Sequence, residues 1–294
     1  MSQKASSIGN IAAEILSKGY SGEVTRVFQR STYIRAKRDF ILLLWGGPRS
    51  PMTVNVEGNT ISHGRIRVGE RCSLSREEIG LGSLRIDVRG AEVFRSALLR
   101  TREITLPGGT VLAKGVAMLR SLYDVSLTGP TLASDQALRT FVWETLVPFA
   151  NGNSRPIFSP ARYLPLIGRG GGFTPAGDDF VGGIITTFNY VARCRRTRQV
   201  HIPRALIRSR TVPESAMILS HSARGNVDEG MERLILASTA GSVRFYDELL
   251  AVARRGHTSG IDMSLGVMLC EAALAQAEGE SGALQKCLDV FWNP

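Results

Sequence analysis

The sequence predicts an α+β protein, with an N-terminal antiparallel β-rich part, a barrel or a sandwich, followed by a C-terminal helical part. Three observations carry this. Short stretches rich in branched and aromatic residues crowd the first third of the chain. From about Glu92 onward, apolar residues recur at helical spacing instead. The order, strands first and helices after, is that of α+β folds or of two separate domains. The switch falls near residues 92–110 and divides the 294 residues into domains 1–95 and 96–294. That length is comfortable for two hydrophobic cores.

Five segments read as strands: Gly22–Gln29, Thr32–Arg38, Phe40–Trp45, Met52–Gly58 and Ser83–Gly90. Gly, Pro or Ser clusters bound several of them. Met52, Val54 and Val56 alternate with Thr53 and Asn55, the period of a half-buried strand. Close spacing and short turns favour antiparallel pairing. The helical part begins at Thr110–Tyr123, where Val111, Leu112, Val116, Leu119 and Leu122 share a face. Ser134 is placed to cap a helix through Ala150. Further helices are expected at about Pro175–Arg195, Pro213–Ala223, Asp228–Ser238, Ser242–Arg254, Ser259–Ala277 and Ser281–Phe291. No internal repeat or low-complexity tract stands out.

Composition narrows the function classes. Apolar residues make up 43% and charged residues 21%, an ordinary globular balance. The longest clean apolar run, Phe40–Trp45, is far short of the ~20 residues that span a bilayer. The N-terminal stretch is broken by Asn10, Glu14 and Lys18 and lacks a secretory apolar core. Cys72, Cys194, Cys270 and Cys287 are neither clustered nor spaced as zinc ligands, and read as free thiols of a cytoplasmic protein. His63, His201, His221 and His257 are likewise scattered. The net charge of +10 suits an anionic partner, whether a small acid, a phosphate, a nucleic acid or an acidic protein. The arginine-dense run Ala192–Arg210 reads as a helix end and a solvated loop. It has no interleaved aromatics, so nucleic acid is not the expected ligand.

The chemistry concentrates in three blocks. The first is "GRGGGFTPAGDDFVGG", Gly168–Gly183. Thr174 suits an N-cap and Pro175 a first helical turn, so the glycines deliver the chain into a helix N-terminus. Such a terminus, with its free amides and positive dipole end, attracts anions. Arg169 could add a bidentate contact. No Lys-Ser/Thr pair follows the glycines, which excludes a Walker loop. Asp178 and Asp179 either offset the helix dipole with no ligand or act on substrate, directly or through magnesium, the candidate cofactor. Adjacent helical residues point ~100° apart, so the two acids are expected to differ in role. The second block is Thr211–Asn226, where Thr211-Val-Pro-Glu214 fits a capping box. The third is Arg254–Leu269, where Ser259-Gly-Ile-Asp262 fits another, with His257 and Thr258 just ahead. The three helix starts are expected to converge on one pocket.

Taken together and in this order, these blocks and the upstream "GGPRSPMTVNVEG" resemble the AllH-like family, long a domain-of-unknown-function family, across about Gly22 to Cys270. The Gly-rich Thr-Pro-x-Gly-Asp-Asp block carries most of the likeness. Phe173 stands where the family usually has Leu, Ala176 where it often has Ser, and Glu214-Ser215-Ala216 where it has Glu-Ile-Ser. The resemblance implies a subunit of an oxamate carbamoyltransferase of purine catabolism, working with partner subunits. A homo-oligomer is a further candidate assembly. The implied reaction moves a carbamoyl group between oxalurate and phosphate. Asp178, Asp179 and His257 would then be the catalytic residues. Arg169, Gly170, Gly171, Gly172, Thr174, Gly177, Thr258 and Ser259 would bind the small anionic metabolite. A rival of another class is a non-catalytic metabolite-binding or assembly subunit.

Overall fold

The computed structural model describes residues 2–58, 66–126 and 132–292; His63 lies outside them. The chain forms two compact units. One is Met1–Ala97 with Asn226–Glu229, and the other is Leu98–Gly225 with Gly230–Pro294.

The first unit is a barrel. Its strands are β1 (Ser2–Gly9), β2 (Ser21–Phe28), β3 (Ser31–Ala36), β4 (Asp39–Trp45), β5 (Thr53–Val56), β6 (Arg71–Leu74), β7 (Glu78–Leu81), β8 (Leu84–Asp87) and β9 (Glu92–Phe94). Eight of them run in the order β5-β4-β3-β2-β6-β7-β8-β1, and β1 returns to β5 to close the ring; β9 adds an edge beside β1. Closure removes open edges, which is how a barrel avoids edge-to-edge association. The interior follows from alternation. In β3, Thr32, Ile34 and Ala36 point inward, and in β4 Ile41, Leu43 and Trp45 do the same. A helix, α1 (Asn10–Ser17), adds Ala12, Ile15 and Leu16 to the same core.

The barrel corrects the sequence reading in three places. Pairing is not purely antiparallel, because β4–β5, β1–β8 and β1–β9 are parallel. The Ser-rich β1, with α1 behind it, was not expected, since "SQKASSIG" has almost none of the branched residues that mark a strand. The four-residue β6 and β7 also escape pattern reading, being too short for a period to show.

Eleven helices follow β9 among the described residues. They are α2 (Gly109–Ser126), α3 (Gln136–Phe141), α4 (Val147–Ala150), α5 (Pro160–Tyr163), α6 (Ala176–Cys194), α7 (Arg204–Arg208), α8 (Pro213–Ser222), α9 (Glu229–Thr239), α10 (Phe245–Ala253), α11 (Ser259–Ala277) and α12 (Ala283–Trp292). A π-helical turn, Val142–Leu146, joins α3 to α4. Asp135, not Ser134, caps α3 by accepting from the Ala137 N–H. The short α5 and α7 were not expected.

The unit is organised around α6 and α11, each 19 residues long and buried over nearly its whole length. A helix covered on all sides carries apolar residues on all sides, so α11 shows no polar face. The two helices run parallel and in constant register. Asp179 neighbours Asp262, Gly183 abuts Gly266, and Arg195 pairs with Glu278 at 3.1 Å. At the crossing the backbones touch. A Cβ on Gly183 would lie 2.2 Å from the Met263 carbonyl oxygen, and one on Gly266 2.3 Å from that of Phe180. Only glycine fits there.

Candidate functional site

The parallel pairing brings the N-termini of α6 and α11 together, each preceded by a turn the sequence had singled out. Neither turn caps its helix as expected. The N-cap of α6 is Pro175 and that of α11 is Thr258, and neither makes a side-chain capping bond. The helix starts one residue later than expected, so Pro175 takes the N-cap and Thr174 stands one position outside it. Thr174 Oγ1 is instead hydrogen-bonded to Ser259 Oγ at 2.8 Å. In α8 the N-cap is Val212, with Pro213 opening the helix, so the Thr211–Glu214 capping box does not form either.

What the hydroxyl of Thr211 does is hold Asp178. The buried Asp178 carboxylate accepts the Gly168 N–H at 2.6 Å, the Ser215 hydroxyl at 2.6 Å and the Thr211 hydroxyl. These bonds tie the glycine loop, α6 and the start of α8 into one assembly. Gly168 is required by it, because its φ is +82° and a Cβ would meet the Arg210 carbonyl oxygen at 1.9 Å. Asp178 is thus fully engaged in holding the loop.

Asp179 turns the other way, toward α11. It is 5% exposed, and its Oδ2 is buried with no hydrogen-bond partner. Burial drives its pKa well above the usual carboxylate range and the nearby Asp262 drives it further, against the opposing effect of the Ser259 and Thr174 hydroxyls. Burial therefore favours the protonated form of Asp179. Asp262, with no exposure, accepts from the Tyr123 hydroxyl on α2 through Oδ1, while its Oδ2 has no partner. Burial pushes Asp262 up to about 6, with the Tyr123 and Thr258 hydroxyls opposing the shift. Neither Tyr123 nor the role of Asp262 was foreseen. The signal was present: Gly177-x-Asp179-x3-Gly183 repeats as Gly260-x-Asp262-x3-Gly266.

The remaining expected residues lie around this pair. Gly170, Gly171 and Gly172 form an exposed segment leading to the half-buried Thr174. Gly171 alone among them has neither a positive φ nor an atom within 4 Å of a built Cβ, so the fold itself does not demand glycine there. Arg169 is exposed and paired with Asp135. The amides at the α6 start are less free than the sequence implied: Gly177 N–H donates to the Arg169 carbonyl at 2.9 Å, and Asp178 and Asp179 donate to that of Pro175. Thr258 reaches Asp262, while His257 is exposed.

Other features of the chain lead away from this place. A cleft of about 390 Å³ in the barrel unit is lined by Ser6, Ser7, Gly47, Arg49 and Asn55, but the Arg49 guanidinium is committed to Glu229 and Glu92. In the arginine run, Arg198 stacks on Phe158 with 4.4 Å to the ring centre, and Arg195 is paired with Glu278. All four cysteines are free. Among the described residues, no helix is long and apolar enough to cross a membrane, and no three His, Cys, Asp or Glu side chains gather to hold a metal ion.

The second unit is thus a helical body with two parallel helix starts, a glycine loop and a buried carboxyl pair at one end. Over residues 166–271, which contain this entire arrangement except Tyr123, the chain matches the family model described as oxamate carbamoyltransferase subunit AllH. Across that segment the chain is similar to that family. No curated protein and no solved structure gives a significant match.

Proposed function

We propose that the chain is a carbamoyltransferase-type subunit that binds a small anion (oxalurate or oxamate, phosphate, or carbamoyl phosphate) at the glycine loop. The observation that carries this reading is the joining of the α6 and α11 starts at Thr174 and Ser259, beside the exposed Gly170–Gly172. Two positive dipole ends and a run of unhindered amides favour negative charge there. The AllH family description supplies the reaction class.

In that reaction a phosphate oxygen attacks the carbamoyl carbon of oxalurate. The bond to the oxamate nitrogen breaks, and that nitrogen takes up a proton equivalent to the one phosphate gives up. The loop amides, Thr174 and Arg169 stabilise the charge developing on the oxygen of the tetrahedral carbamoyl centre. Asp179, whose protonated form burial favours, has the character of a general acid for the departing nitrogen. His257 and Thr258 flank the opposite helix start.

Titration calorimetry of the purified chain with phosphate, oxamate and oxalurate tests binding, and turnover with partner subunits added tests the reaction. Micromolar to millimolar binding of at least one anion is expected, weakened about tenfold in Arg169→Ala, the loss of one charge-assisted contact. A chain that binds none of them overturns the reading. A second reading, a non-catalytic assembly subunit, is favoured by the complete structural engagement of Asp178. Binding without any effect of Asp179→Asn on turnover of the assembled enzyme selects it.

A further inference from the structure

Two buried carboxyl oxygens without partners stand at the joined helix starts, Asp179 Oδ2 and Asp262 Oδ2. An unpaired buried acceptor is costly, and two from neighbouring helices mark a place where donors are missing. We propose that the Asp179–Asp262 pair receives the –NH2 group of a primary amide or ureide, the nitrogen end of the ligand whose anionic end lies at Gly170–Thr174. This rests on the ligand site proposed above and names what its inner end recognises.

The chemistry favours this group over others. An amide nitrogen brings two N–H donors for two acceptor oxygens and carries no charge that needs a counter-ion. In either protonation state Asp179 offers an acceptor oxygen to one of them. A divalent cation takes six or more oxygens. Here Asp178 is already saturated, and no third acidic side chain, histidine or cysteine joins the pair among the described residues. A bare anion would face acceptors only. A ligand would enter past the half-exposed Thr174 and Ser259, whose mutual hydrogen bond lies beside Asp179. Both hydroxyls can turn toward a ligand.

Asp262→Asn is the sharpest variant. The oxygen of the substituted amide still accepts from Tyr123, but its nitrogen sets a donor where the ligand needs an acceptor. Calorimetry on the full chain would compare oxamate, urea and oxalate, where oxalate keeps the anionic end and lacks the –NH2. Oxamate and urea are expected to bind the wild type and to lose at least tenfold in Asp262→Asn, with oxalate unchanged. Equal loss of oxamate and oxalate, or oxamate bound equally by both proteins, overturns the proposal. Oxalate bound without oxamate preference also overturns it while leaving the anion site standing. Urea bound by wild type and lost in the variant, with neither acid bound, supports the amide pocket and overturns the anion reading. No binding by any of the three overturns both. Magnesium or ammonium competing with oxamate replaces the amide with a cation. Thermal unfolding checks that the variant is folded, and Asp262→Ala, which removes the acceptor outright, carries the same comparison where it is not.

Discussion

Asp178 and Asp179 are neighbours in sequence and opposites in environment, which makes their substitutions diverge. Asp178 accepts one amide and two hydroxyls inside the protein. Asp178→Ala would strand all three donors, at a cost of about 3 kcal/mol, read as a lowered chemical-denaturation midpoint. Asp179→Asn replaces a carboxyl whose neutral form burial favours, so its stability should equal the wild type's in acid and exceed it as pH rises. A second buried acid gives a cleaner test. Glu271, wholly buried on α11, accepts from the Ser238 hydroxyl, and burial pushes its carboxyl up to about 8. Its folded pKa lies above the unfolded value of 4.5. The resulting stability is complete below that value and is lost as pH rises through about 8. The midpoint advantage of Glu271→Gln should therefore grow between these limits and level off above them. A margin independent of pH would show that Glu271 is ionised in the folded protein. None of these distinctions was legible in the sequence, because burial, not residue type, separates the three acids.

The decisive contact between elements is the glycine crossing of α6 and α11. Gly183→Ala or Gly266→Ala drives a methyl into a backbone carbonyl that has no flexible end to move aside. Either change should cost about 3 kcal/mol or more and pull the helix starts apart, lowering the thermal midpoint and weakening anion binding together. Gly182→Ala serves as the control: a Cβ there meets only Leu219 Cδ1 at 3.8 Å, so it should be tolerated. The extents of α6 and α11 could be read from the sequence, because Pro175 and Ser259 punctuate long apolar runs. Their starts were misassigned at the level of single caps. Thr174, Thr211 and Ser259 have the right chemistry to cap, and tertiary partners claim their hydroxyls instead. The parallel register could have been suspected from the repeated Gly-x-Asp-x3-Gly spacing. That repeat is only seven residues long and is hidden by different side chains between its fixed positions.

In the whole molecule, the α+β order was visible because helical and strand periods occupy separate stretches of chain. Barrel closure was not, since it depends on β1, whose alternation is masked by serines and whose partners β5, β8 and β9 lie far along the sequence. The barrel unit also reclaims Asn226–Glu229 from the middle of the helical sequence. There the Glu229 N–H donates to the Arg49 carbonyl at 2.8 Å, and the Glu229 carboxylate receives the Arg49 guanidinium. The chain is thus sewn between its two units by three crossings, and a single cut cannot free them. Divided between Ala97 and Leu98, the gene would yield two fragments, the larger carrying a short peptide whose docking place is on the smaller. The halves should find each other when co-expressed and copurify as a nicked protein. Arg49→Ala should sharply reduce that recovery.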